Sequence, residues 1–126
     1  MRRLLPLVIV TGMAGCGGSG SGPTSPPPSN NPFTFTITAS GGVNPKELTV
    51  PPGTQVLFVN NDTKPRNMTS DPHPEHDDCP EINKVGLLNA GSSDQTENMN
   101  VVRTCGFHDH DDPSNTAVLG RIIIRP

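Results

Sequence analysis

The sequence has no tyrosine, no tryptophan and only four phenylalanines. Any core must therefore come mainly from Val, Ile and Leu, with little aromatic mass. No apolar run approaches the roughly twenty residues a helix needs to cross a bilayer. Acidic residues are missing before Glu47, where the first of all twelve stands. Beyond Arg3 the acidic residues outnumber the seven basic ones by five. No basic stripe exists to neutralise phosphates, which excludes a nucleic-acid partner. No serine sits in a recognisable elbow, no nucleophile, base and orienting group fall together, and no glycine loop is built to cradle phosphate. The expectation is a binding protein rather than an enzyme.

Glycine and proline, by contrast, are plentiful, at 13 and 15 of the 126 residues, while hydrophobic residues make up only 31%. That balance predicts short strands and many turns in one small domain.

The N-terminus reads as an address. Met1-Arg2-Arg3 is a positive region, Leu4–Val10 a short apolar one broken by Pro6, and Ala14 and Gly15 are small. This is the pattern of a secretory signal. Met13-Ala14-Gly15-Cys16 resembles a bacterial lipobox, with Met13 in place of the commoner Leu. The resemblance implies a signal peptide over 1–15, a lipid on Cys16, and a location in the cell envelope, anchored to a membrane and facing the periplasm or outer membrane. Residues 16–32 are rich in Gly, Ser and Pro and read as a tether too polar to fold. The folded domain is expected over 33–126.

Within it, Phe33–Ala39 alternates apolar residues with threonines, the period of a half-buried strand. Glu47–Val50 is a second short strand, and Pro51-Pro52-Gly53 a turn. Thr54–Asn60 is apolar on both faces at its centre, as a central strand would be. Ile122-Ile123-Ile124 is a β-branched run expected to be a buried strand. Just before it, the stretch Thr104–Gly120 reads as a ligand-bearing loop containing Cys105, His108 and His110, side chains that bind soft and borderline metals.

Leu48–Asp62 resembles the early strands of the cupredoxins, the plastocyanin-type blue copper proteins, and Cys105-x-x-His108 followed by Val118-Leu119-Gly120 resembles their later ligand segment. The resemblance implies an all-β, Greek-key β-sandwich of seven or eight strands, copper as cofactor, and electron transfer to a redox partner or copper handling as function. It departs from the family at two of four ligand positions. Arg66 stands where the first His belongs, and Val118 where the axial Met belongs. Neither can ligate copper.

A second loop, Ser70–Pro80, offers His73, His76 and Cys79 among Asp71, Glu75, Asp77 and Asp78. In the cupredoxin layout it leaves the sheet at the same end as the Cys105 loop, so His73 or His76 replaces the lost ligand. Its carboxylates are placed to hydrogen-bond ligating imidazoles. Zinc fits the same donors. Cys105 has two readings. It is either a thiolate ligand or, with Cys16 lipidated, the disulfide partner of Cys79, closing a 26-residue separation and stabilising the domain by roughly 3 kcal/mol. The disulfide reading carries its own function, a metal-free, disulfide-stapled interaction module, and it also leaves open a histidine-only metal site from His73, His76, His108 and His110. A hydrolytic zinc site with Glu75 as base is a third reading. Asp109, Asp111 and Asp112 read as an exposed acidic loop, Met68 and Met99 as core, and Arg66 as a partner for Asp71 or another loop carboxylate.

Overall fold

The computed structural model describes residues 30–126; the signal segment, Cys16 and most of the tether, residues 1–29, lie outside the described residues. Among the described residues nine strands form: β1 (Thr34–Ile37), β2 (Val43–Asn44), β3 (Glu47–Val50), β4 (Leu57–Asn60), β5 (Arg66–Ser70), β6 (Gly86–Leu88), β7 (Ser93–Gln95), β8 (Thr104–Asp109) and β9 (Gly120–Ile124). They make two sheets, one ordered β2-β1-β4-β7 and the other β3-β9-β8-β5-β6. The β1–β4 and β3–β9 pairs are parallel and the remaining pairs antiparallel. The all-β sandwich expected from the alternating segments is the observed architecture.

Three of the four phenylalanines compensate for the missing aromatics by meeting at one point. Phe35 from β1, Phe58 from β4 and Phe107 from β8 are fully buried, with ring centroids 4.7–5.2 Å apart and tilted or edge-on contacts. Each such pair contributes about 0.5–1.5 kcal/mol beyond the area it buries. Ile37, Val50, Met68, Met99, Ile122 and Ile124 pack around them. Gly120 lies against the tip of the Phe107 ring; a Cβ there would fall 2.4 Å from its Cζ. Both methionines are core, although Met99 belongs to an isolated bridge to Thr54 rather than a strand.

Two expectations need correction. The segment from Thr104 is not a loop. Cys105, Phe107 and Asp109 alternate inward through β8, and the connection to β9 begins only at His110. Thr54–Val56 likewise precede the strand rather than belong to it. In a strand, residues three apart face opposite ways. Cys105 therefore faces the core, and His108 lies on the outer face of the five-stranded sheet, in register with Thr69 of β5. The two cannot share an ion, whatever the state of the sulfur.

The sulfur is in fact bonded. Cys79 and Cys105 form a disulfide, Cα–Cα 5.8 Å, both residues fully buried. Of the two readings of Cys105 the structure shows the disulfide, so its expected role as a thiolate ligand is withdrawn. Ser70 is the last residue of β5 and opposes Phe107. Past that point Cys105 has no strand neighbour on the β5 side, and Cys79 fills the space, its N–H donating to Ser70 Oγ at 2.8 Å.

Candidate metal centre

The chain leaving β5 at Ser70 doubles back across the outer face of its own sheet. Its first step continues the ladder, Asp71 N–H donating to the Gly106 carbonyl at 3.0 Å. The loop then closes on itself through His76 N–H to the Pro72 carbonyl (2.7 Å) and Asp78 N–H to the Asp71 carbonyl (3.0 Å). His76 occupies the left-handed region, φ 56°, which a non-glycine residue adopts only where its surroundings impose it. Two contacts impose it here: its ring Nδ1 meets the Ser70 carbonyl at 2.8 Å, and Asn83 Nδ2–H donates to its own carbonyl at 2.8 Å. The disulfide holds the far end of the loop against β8.

This path sets two histidines of the loop over two of the strand. His108 and His110 are two residues apart at the end of β8, so both project outward; His110 N–H extends the pairing by donating to the Asn67 carbonyl at 2.7 Å. His73 and His76 cover them. One ring nitrogen from each of His73, His76, His108 and His110 lies within 4.8 Å of all the others. His108 is 2% exposed, while His73 is open to solvent.

Hydrogen bonds decide which nitrogens face inward. A carbonyl only accepts, so His76 Nδ1 carries the proton toward Ser70 and leaves Nε2 with its lone pair toward the cluster. His108 Nδ1 meets Asp71 Oδ1 at 2.6 Å, again as donor, which frees His108 Nε2; Thr69 Oγ1 lies 3.4 Å from that nitrogen. His110 Nδ1 faces His76 Nε2 at 2.8 Å. The pairing of a carboxylate with a ligating imidazole fixes tautomer and ring orientation in metal sites. It depends on a glycine. Gly106 shares the outer face with His108, and a Cβ there would lie 2.0 Å from Asp71 Oδ2.

Partial desolvation, followed by the charges of His108, His110 and His76, holds His73 below the ordinary imidazole value of 6.5, against an opposing pull from Glu75. The neutral, ligating form is thereby favoured. No sulfur donor and no carboxylate oxygen belongs to the cluster. Imidazole nitrogens suit copper and zinc, and among divalent first-row ions copper binds such sites most strongly. Two ligand atoms about 2.0–2.1 Å from one ion lie at most about 4.2 Å apart. The 4.8 Å spread therefore needs a contraction of at least about 0.6 Å, and of about 1.4 Å for a tetrahedral set.

The position the cupredoxin resemblance assigned to the first ligand holds something else. Arg66 is buried on the inner face, its Nε and Nη2 donating to Asp62 Oδ2 at 3.1 and 2.6 Å and its Nη1 to Asp109 Oδ2 at 3.2 Å. Burial alone would lower the guanidinium's pKa; the two carboxylates more than offset it and raise it, and the Arg66 hydrogen bonds in turn hold Asp62 below the usual carboxylate value. Arg66 thus pairs with Asp62 and Asp109, not with Asp71, which serves His108. Asp109 is no exposed loop acid; its Oδ1 also accepts from the N–H groups of Asn67 and Asp111, fixing the turn that carries His110. Val118 is fully buried in the core. Glu75 is exposed.

Sequence reasoning named all four histidines, either around Cys105 or, with the disulfide formed, as a histidine-only site, and in both cases at one end of the sandwich; the structure shows the disulfide and brings those four together. The structure places them on a sheet face. Of the loop carboxylates expected to hydrogen-bond an imidazole, Asp71 does so; Gly106 and Thr69 were missed as supporting residues, and Gly106 two positions before His108 on one strand face was the available signal.

No protein-family profile matches the chain, and no curated protein is similar to it in sequence. Solved structures do match. A plastocyanin from Dryopteris crassirhizoma is 17% identical with a TM-score of 0.58, over 73% of this chain and 99% of that one. An amicyanin from Paracoccus versutus is 15% identical with a TM-score of 0.59, over 78% and 84%. A purple cupredoxin from Nitrosopumilus maritimus is 16% identical with a TM-score of 0.53, over 73% and 98%. With two mixed sheets in this order and these likenesses, the described domain has the cupredoxin-like β-sandwich fold.

Proposed function

We propose that this protein binds copper through His73, His76, His108 and His110 and takes part in copper handling at the bacterial cell envelope, tethered to a membrane by a lipid on Cys16 and facing the periplasm. The convergence of four imidazole nitrogens within 4.8 Å carries the reading. Its surroundings support a cation. The loops that bear the cluster contain Asp71, Glu75, Asp77, Asp78, Asp111 and Asp112 and no lysine or arginine, which concentrates positive ions at the site. Electron transfer to a redox partner is supported by the fold likeness alone, since the sulfur that a blue copper site would use is in a disulfide. Zinc fits the same donors and ranks below copper by intrinsic affinity.

Titrating the purified full chain with Cu(II), and separately with Zn(II), tests the centre. The expected result is one retained Cu(II) with weak visible absorption and no intense thiolate-to-copper band, lost in His108→Ala. Failure to retain either ion leaves the metal-free module as the better account. For the anchor, Cys16→Ser should move the protein from the membrane to the soluble periplasmic fraction; an unchanged distribution would count against lipidation.

A further inference from the structure

Of the four rings in the cluster, three are held and one is not. His76 is fixed by its ring bond to the Ser70 carbonyl, His108 by its ring bond to Asp71, and His110 through its backbone, by the strand pairing to Asn67. Among the described residues His73 makes no hydrogen bond through its ring, and residues 73–75 make none through the backbone. Pro72 and Pro74 on either side have no N–H to donate. The loop is thus pinned at Pro72 and His76 and makes no hydrogen bond between them. Yet the His73 ring stands almost equally far from the other three, with centroids 5.3, 5.4 and 5.2 Å from His76, His108 and His110. It caps the triad on the solvent side.

We propose that His73 is the exchangeable ligand of this centre, the group that opens to admit an ion and gives way when a nitrogen or sulfur donor on a receiving molecule takes the ion over, while His76, His108 and His110 form the fixed set. The inference rests on the copper-binding reading above. In the exchange the lone pair of the incoming donor forms a bond to the ion as the bond from His73 breaks. No electron changes hands, and His73 leaves as a neutral imidazole. A tripod with one swinging arm gives tight holding with ready transfer. Four equally anchored rings would hold the ion but release it slowly, because every path out would break a supported ligand.

The full chain loaded with Cu(II) is mixed with excess EDTA, and loss of its visible absorption is timed for the wild type, His73→Ala and His108→Ala, with and without free imidazole. His73→Ala should still retain one ion and release it about tenfold faster, on the scale of other single perturbations around metal ligands. Free imidazole should restore both the spectrum and the slower release, because it fills the position left open. His108→Ala should retain no ion, with or without imidazole. Complete loss of copper from a folded His73→Ala protein would overturn the proposal by making His73 a holding ligand. Release at the wild-type rate would overturn it by showing that this ring does not gate exit. A wild-type chain that never retains Cu(II) would remove the metal-binding reading itself, an outcome visible before any variant is compared.

Discussion

Replacing Gly106 by alanine should damage the proposed metal centre while sparing the fold. The new Cβ would lie 2.0 Å from Asp71 Oδ2 and 3.0 Å from its Cγ. The obstructing atoms are the free end of a side chain, so the strand can keep its place and the carboxylate must move by about 1 Å or more to reach van der Waals distance. Where that shift runs away from His108, it stretches the 2.6 Å contact with Nδ1 to about 3.6 Å, beyond hydrogen-bond range. Without that partner His108 loses its fixed tautomer, and loss of such a support costs about 10–100-fold in metal affinity, or about 1.4–2.8 kcal/mol. Cu(II) affinity measured by chelator competition, with urea unfolding of the apo protein alongside, separates site from fold. Asp71→Ala should reproduce the affinity loss, and Asp71→Asn, whose amide oxygen still accepts from Nδ1–H, should show a smaller one. Gly120→Ala is the contrasting case. Its Cβ meets the buried Phe107 ring and the Lys46 carbonyl, neither free to move, so it should lower stability by about 1–3 kcal/mol with Cu(II) affinity retained in the folded fraction. Wild-type affinity in a folded Gly106→Ala protein would refute the role given to Asp71.

Further outcomes follow from the supports around the centre. Replacing Cys79 and Cys105 together by serine should lower stability by about 3 kcal/mol through the freed 26-residue separation, and should weaken copper binding because the loop bearing His73 and His76 loses its anchor; unchanged denaturation midpoints would contradict this. Arg66→Ala leaves Asp62 and Asp109 buried without their cation and should cost about 3–5 kcal/mol, read by urea unfolding. The carboxylate of Asp62 is held below its ordinary 3.8 in the folded protein. Its contribution is therefore complete above that value and is lost as pH falls through the lower folded one. Acid unfolding should be less steep in Asp62→Asn than in the wild type below about pH 4, and identical slopes would count against the pairing.

Much of this protein was fixed by local chemistry. The alternation in Phe33–Ala39, the β-branched run at Ile122–Ile124 and the Pro-Gly turn at 51–53 specify a β-sandwich, because period two and turn residues act over a few positions and need no distant partner. The residue types in Ser70–Pro80 and Thr104–Gly120 likewise marked the four histidines and the two cysteines as the groups with chemistry to do. What sequence alone left open was which groups meet. Taking the segment after Thr104 as a loop hid the parity rule that turns Cys105 inward and His108 outward, and that rule separates a disulfide from an imidazole cluster. The register of Thr69 against His108, the gap at Gly106 that admits Asp71, and the capture of Arg66 by Asp109 all join residues far apart in the chain. Such contacts exist only once the sheets have paired, since position across a strand interface is set by hydrogen-bond register and packing rather than by neighbouring sequence.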